Sequence, residues 1–361
     1  MSERKLASVQ KITDITPIEG RDRIVLATVE GWHVIVSKED FKVGDLCVYI
    51  EIDSILPDRP EFEQARKRGS RIRTMKMAGV YSEGIVYPLT ILPNMINNHT
   101  VSYEQYHEGD DVTAILGIAK YDEYAGEEPV GVSKSKKKYN KLQLLWYKLF
   151  GFPQRKKGGF TTLVSKTDEV RIQNIPEALQ NKEPVVVTEK VDGCSMTATL
   201  ERTFFSYKFN LYSRNLRIEK DNSHYWRAAE MYDLEERMGL MADELGVKWI
   251  AIQGEVAGPA IQKNPYGLKD IDFFVFNIIT PEGRWSTKKM VEFCYRYGLS
   301  TVPVLDYNYE LPNTVNGMLQ YATNKSVINP NVLREGVVIR SQDGKQSFKA
   351  VSPEYLVKHG K

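Results

Sequence analysis

Residues 185–199 read VVVTEKVDGCSMTAT, and the way this stretch is broken decides the fold. Val185, Val186 and Val187 lead in, and Met196, Thr197, Ala198 and Thr199 lead out. β-branched runs of this kind predict two strands with a tight interruption between them. At the break stand Glu189, Lys190, Asp192 and Gly193. Taken alone, Lys-x-Asp-Gly is an ordinary turn: Asp and Gly supply the turn chemistry and the lysine stays in water. A lysine between two acids at the end of an apolar strand has to be weighed against the rest of the chain.

The bulk numbers bound the reading. At 361 residues the chain is long enough for two domains, each with its own core. Charged residues at 27% and hydrophobic residues at 42% suit a soluble globular enzyme. A net charge of +2 means that affinity for nucleic acid has to come from local basic patches. Cys47, Cys194 and Cys294 are odd in number and far apart, which excludes a disulfide scaffold and zinc-finger spacing and fits a reducing compartment. The N-terminal stretch MSERKLASVQKITDI has no apolar leader, and no apolar run approaches membrane-spanning length. An intracellular protein with no membrane partner is expected.

Further strands surround the opening stretch. DRIVLATVEGWHVIVS predicts a hairpin turning at Glu30-Gly31, and GDLCVYIEIDSIL a third strand with alternating faces. KRGSRIRTMKMAGVYSEGIVYPL gives a basic loop and another short strand pair. Short strands with little helix predict a small β-barrel over residues 1–118, with an OB-fold as the first choice. Residues 119–160 contain Pro, Gly and two basic clusters around Leu142–Phe150, and read as a basic linker with one short helix. Lys134, Lys136, Lys137 and Lys138 read first as a solvated run, with nucleic-acid contact as the alternative.

Residues 161–361 mix strands and helices in an order that predicts an α+β domain with antiparallel sheets. SHYWRAAEMYDLEERMGLMADELG reads as one long amphipathic helix opening at Ser223, and STKKMVEFCYRYG as a Ser-capped helix ending at Gly. Four stretches bear on Lys190. LYSRN puts Arg214 at a strand end, IQGEVAGPA puts Glu255 on a strand, and DFFVFNI carries Phe276. REGVVIR and SFKAVS place Glu335 and Lys349 on the last hairpin, which turns at Asp-Gly. Charges at strand ends aimed toward one cleft cost stability and call for a functional explanation.

In this order EKVDG, SRN, GE, FFVFNI, REG and FKA resemble the covalent nucleotidyltransferases: ATP- and GTP-dependent polynucleotide ligases and mRNA capping enzymes. The resemblance implies an ATP-grasp-like nucleotidyltransferase fold. It makes Lys190 the nucleophile that forms a lysyl-nucleotide phosphoamide, and assigns Glu189, Val191, Arg214, Glu255, Phe276 and Lys349 to the nucleotide. Within it Glu255 takes the ribose hydroxyl, Phe276 stacks on the purine, and Arg214 and Lys349 clamp phosphate. Asp192, Glu255 and Glu335 hold Mg²⁺ or Mn²⁺. Attack needs an unprotonated amine, so burial and nearby cations are expected to lower the pKa of Lys190 from roughly 10.4.

Two features narrow the resemblance. DNA ligases and capping enzymes usually carry arginine five residues after the nucleophile, where this chain has Ser195. They also place an OB-fold after the last motif, whereas here twelve residues follow Lys349 and the barrel is expected in front. An N-terminal OB-fold before a minimal transferase domain resembles the Deinococcus-type ATP-dependent RNA ligases. VGDLCVYIEIDSILP, RIRTMKMAGVYSEG and VSKTDEVRIQN are similar to that group as well. The implied activity is ATP-dependent sealing of RNA 5′-phosphate and 3′-hydroxyl ends, nicked duplex included, by a monomer in RNA repair. The alternatives are a DNA ligase, a capping guanylyltransferase or a catalytically inactive RNA-binding relative. Ligases often show Lys-x-Lys in the final motif; here Lys349 is followed by Ala350-Val351, leaving Lys345 as the candidate second lysine. Arg66, Lys67, Arg68, Arg71 and Arg73 are expected to present the barrel to an RNA backbone while the remainder builds the adduct.

Overall fold

The structure is a computed structural model that describes residues 4–93, 95–96, 99–100, 103–121 and 159–361. The expected helix within Leu142–Phe150 and the lysine run 134–138 lie outside the described residues.

The N-terminal sheet is antiparallel, with strands in the order Trp32–Ser37, Ile24–Val29, Ala7–Pro17, Leu46–Ile50 and Ile85–Pro88. Ala7–Pro17 is long enough to pair at one end with Leu46–Ile50 and at the other with Ile24–Val29. A register shift between Ile12 and Asp14 bends it between the two pairings. Such irregularities curl a sheet, and the outer strands Trp32–Ser37 and Ile85–Pro88 come together as a barrel wall. The hairpin turns at Glu30-Gly31 as expected, with Glu30 in the left-handed region (φ 52°). Leu46–Ile50 does not alternate: Cys47, Val48, Tyr49 and Ile50 are all buried. The strand lies inside the sheet and its outer face is covered in turn, with the Tyr49 hydroxyl donating to the Glu83 carbonyl at 2.8 Å.

Beside three two-stranded pairs, the described residues form two further large sheets. One has five strands in the order Val170–Arg171, Ser347–Val351, Gly336–Ser341, Val185–Lys190 and Val304–Tyr309. It is antiparallel except for Val170–Arg171, which runs parallel to Ser347–Val351. The other is a six-stranded antiparallel sheet centred on Cys194–Arg202 and Trp249–Ala257, with Asp272–Thr280 beside the latter. The expected long helix is two helices, His224–Met231 and Leu234–Leu245. They separate where Asp233 takes φ 43° and the Tyr232 hydroxyl is drawn to Asp272 and Ser300. The helix Thr287–Arg296 forms as expected: the Ser286 hydroxyl accepts from the Lys289 N–H, and Gly298 sits at φ 61°.

The N-terminal sheet and the remainder are welded together. Val351 and Leu356, from the last strand and the last helix, belong to the same apolar core as Val9, Val48 and Ile50. Polar links add to this: Trp32 Nε1 donates to Asn174, Asn174 donates to Glu51 at 2.9 Å, and Gly31 N–H donates to the Gln173 carbonyl at 2.9 Å.

Candidate active site

The break at 191–193 is a crossing between sheets. Val185–Lys190 belongs to the five-stranded sheet and Cys194–Arg202 to the six-stranded one, so Lys190 stands at the seam where the two diverge. The crossing is tight: a Cβ on Gly193 would lie 2.3 Å from the Val256 carbonyl oxygen. Gly336, after Glu335, is restricted in the same way, since a Cβ there would meet the Ala350 carbonyl oxygen at 2.2 Å. The glycines of EKVDG and REG thus let backbone approach backbone around the lysine. The seam opens into a cavity of about 630 Å³ that brings together Lys190, Asp192, Arg214, Glu255, Phe276, Glu335 and Lys349. Every expected site residue lines it, Glu189 and Val191 included.

Around the amine the cavity is acidic. Lys190 Nζ lies 2.6 Å from Glu335 Oε2. The expectation of a depressed lysine pKa is not met. Burial lowers it, but the Glu335, Glu255 and Asp192 carboxylates together outweigh burial and hold the ammonium above its ordinary value. Burial, reinforced by Glu335 and Asp192 against the pull of Lys190 and Arg214, pushes Glu255 up to about 8. Asp192, expected as a metal ligand, is turned to two neighbours of its own. Its two oxygens take Lys361 Nζ at 2.6 Å, and Oδ2 accepts from the Tyr355 hydroxyl at 2.8 Å. Among the described residues no three His, Cys, Asp or Glu side chains converge on one point as a metal cage.

Beside the lysine is an apolar slot. Val191 is buried in a small cluster with Ala257, Tyr266, Phe274 and Val302, and Phe276 packs half-buried against it. Phe273 and Phe274 on the same strand are buried, so Phe276 is the phenylalanine of DFFVFNI that reaches the cavity. The Glu189 carboxylate does not turn toward a nucleotide. It accepts from the Ser326 hydroxyl at 2.5 Å and the Val327 N–H at 2.7 Å, bracing the loop that follows the helix Val315–Ala322.

The far wall is cationic and gathers on a residue outside the expected site. Asp168, in VSKTDEVRIQN, receives Arg214 at 2.8 Å, Lys349 at 3.1 Å and Lys120 at 3.1 Å. Burial would raise its pKa, but these cations hold the carboxyl well below the usual carboxylate range. Lys349 is pushed down to about 8 by burial, with Arg171, Lys190 and Arg4 acting the same way and Asp168 opposing. Lys345 is not a second lysine of the site: it is 82% exposed and pairs with Asp343 at 3.3 Å. The cation next to Lys349 is Arg171, its register partner on the neighbouring strand, 8% exposed with buried Nε and Nη1 free of hydrogen bonds.

The N-terminal unit contributes to the same cavity through Arg4, Asp53, Arg71 and Lys120. Arg71, expected to face RNA, instead pairs with Asp53 at 2.7 Å and lies over the Tyr121 ring. Arg66 pairs with Asp58 and Lys67 with Glu63, while Arg68 and Arg73 are exposed. Sequence reasoning missed Arg4, Asp53, Lys120 and Lys361 because nothing local marks them. They reach the cavity through packing of the N-terminal sheet and the last helix. Asp168 and Arg171 lay in a stretch already noted for its resemblance, and that stretch was the available signal.

Comparison with known proteins places these features in context. A family model described as RNA ligase matches residues 183–351, and one described as an OB-fold domain matches residues 6–89. A search of curated proteins gave no match. Among solved structures, a glutamate-to-alanine variant of Naegleria gruberi RNA ligase with AMP and Mn is 31% identical, with a TM-score of 0.79 and 99% of each chain covered. The same ligase with PPi is 32% identical, with a TM-score of 0.78 and 99% of each chain covered. A lysine-to-alanine variant with ATP and Mn is 30% identical, with a TM-score of 0.78 and the same coverage.

Proposed function

This chain belongs to the RNA ligase family, as an ATP-dependent enzyme with an N-terminal OB-fold, and on that premise we propose that it joins RNA 5′-phosphate and 3′-hydroxyl ends through AMP carried on Lys190. The observation that carries the assignment is the seam lysine, which shares one cavity with a carboxylate cluster, an aromatic slot and a cationic wall. In this reading residues 1–118 are the OB-fold unit and 161–361 the transferase unit, joined through 119–160.

Lys190 Nζ has to be unprotonated to attack, and since the Glu335 carboxylate 2.6 Å away favours the ammonium, this pair has to open first. The amine attacks the α-phosphorus, a P–N bond forms, the α–β P–O bond breaks and pyrophosphate leaves. An oxygen of the RNA 5′-phosphate then takes the AMP and frees the lysine. Finally the 3′-hydroxyl attacks that 5′-phosphorus and expels AMP. Val191 and Phe276 wall the purine, Glu255 is placed for the ribose, and Lys349, Arg214, Lys120 and Arg171 face the phosphates.

The donor set fits a divalent metal of the Mg²⁺ or Mn²⁺ type. Hard carboxylate oxygens line the amine side, and one or two of them with substrate phosphate suffice for an ion that keeps its waters. Glu335, Glu255 and Asp192 would hold it, Glu335 by giving up Lys190, Asp192 by giving up Lys361, and Glu255 in its ionised form. When bound, the ion supplies neutralisation of the α-phosphate charge.

Incubation of the full-length protein with α-labelled ATP or GTP tests the proposal. Labelling by ATP, stable to alkali and labile to acid, is the expected result, followed by joining of a nicked RNA duplex bearing a 5′-phosphate. Labelling by GTP alone would make it a capping-type enzyme, and no label with retained RNA binding an inactive relative.

A further inference from the structure

Asp168 takes no part in the chemistry described above, yet cations from three separate elements converge on it. Lys120 comes from the short strand Ala119–Lys120 that pairs with Ser54–Ile55, Arg214 from the turn after Tyr207–Tyr212, and Lys349 from Ser347–Val351. The carboxylate is not a loose surface group. Thr167 Oγ1 lies 3.1 Å from Ser195 Oγ, and the Ser165 carbonyl accepts from the Gln253 side chain at 3.0 Å, which ties the strap to the six-stranded sheet. Two residues on, Val170–Arg171 joins the five-stranded sheet. Asp168 is therefore fixed on the wall of the cavity that holds Lys190.

Three cations facing one cavity repel each other, and a single carboxylate at their centre offsets that cost. Resting on the covalent-transfer reading, we propose that Asp168 is a built-in stand-in for polyphosphate. It holds Lys120, Arg214 and Lys349 in place in the free protein, yields them to the outer phosphates of ATP, and takes them back when pyrophosphate departs. Pairs of this exposure, with Asp168 at 38% and Arg214 at 40%, are weak enough to exchange. A site with the cations but without the competing carboxylate would retain pyrophosphate after the α–β bond has broken. Asp168 is thus a positioning residue that tunes product release.

The test is calorimetric binding of inorganic pyrophosphate, without ATP, to the full-length protein and to Asp168→Asn, Asp168→Ser and Asp168→Glu at one ionic strength. Removal of the charge should tighten pyrophosphate binding by about tenfold, while Asp168→Glu should stay near wild type. Protein labelling by α-labelled ATP should become correspondingly more sensitive to added pyrophosphate in the neutral variants. The serine variant supplies the comparison if the asparagine variant does not fold. Equal or weaker binding in the folded neutral variants would overturn the proposal, because a purely organising residue would lose affinity. Failure of the wild-type protein to label with ATP would instead overturn the covalent reading, and the pyrophosphate comparison would still decide the role of Asp168.

Discussion

At one side of the cavity a lysine stands among carboxylates; at the other a carboxylate stands among cations. Lys190 feels Glu335, Glu255 and Asp192, whereas Asp168 feels Lys349, Arg214 and Lys120. The two regions are opposite in sign and differ in burial. The Lys190–Glu335 pair is 26% and 10% exposed, while Asp168 is 38% exposed against cations ranging from 16% to 42%. A buried pair is strongly coupled, and losing one partner strands the other at a cost of about 3–5 kcal/mol. The Asp168 pairs with Arg214 and Lys120, each partner 38–42% exposed, contribute up to about 1 kcal/mol each and exchange readily, with Lys349 at 16% the most enclosed of the three cations. The acidic side is thus suited to chemistry at a fixed amine, and the cationic side to a ligand that comes and goes.

If that division holds, the largest loss short of removing the nucleophile comes from the acidic side. Glu335→Gln keeps the shape and removes the charge, and should slow protein labelling by about two to three orders of magnitude. Initial rates across a range of Mg²⁺ and Mn²⁺ concentrations measure this. Wild-type rates at every concentration would erase the contrast between the two sides. On the cationic side the effect should be smaller and of another kind. Lys349→Ala should raise the ATP concentration for half-maximal labelling by about tenfold, with Lys345→Ala within about twofold of wild type. Equal effects of the two substitutions would mean that exposure does not sort the lysines.

The smallest effect on activity is expected outside both clusters. Glu83 is 1% exposed beneath the N-terminal sheet, and burial pushes its pKa up to about 7 against Arg171 and Gln173. A carboxyl raised in the fold contributes stability that is complete below its unfolded pKa of about 4.3 and is lost as pH rises through about 7. Glu83→Gln should remove that dependence. Its melting temperature relative to wild type should therefore rise between about pH 4 and 8, by an amount corresponding to at most about 4 kcal/mol. A constant difference across that window would show that Glu83 does not titrate there.

Much of this cavity was legible in the sequence, for a physical reason. Lys190, Glu255, Phe276, Glu335 and Lys349 lie on or at the ends of strands whose apolar pattern is local, so pattern places them on strands, and the resemblance gathers them into one site. The strand–break–strand at 185–199 was read correctly as two strands, but periodicity could not show that they enter different sheets. That follows from the close approach of Gly193 to Val256. The break between the two helices at Asp233 was hidden because the apolar spacing runs through it, and tertiary contacts of Tyr232 decide the matter. Within the basic loop, the pairing of Arg71 with Asp53 is beyond a sequence pattern for a similar reason: a run of arginines says nothing about its carboxylate partners. The charge around Lys190 was also beyond sequence, since the sign of a pKa shift depends on distances to acids from distant strands.

Whether Lys190 carries the nucleotide is read by intact-mass analysis of the full-length protein after incubation with ATP and Mg²⁺ or Mn²⁺. The account predicts a mass increase of one AMP, mapped to the peptide containing Lys190 and absent from Lys190→Ala. That variant should still seal an RNA nick whose 5′ end is already adenylylated, because the later steps do not use the amine as nucleophile. An AMP adduct that persists in Lys190→Ala, or maps to another residue, would contradict the account.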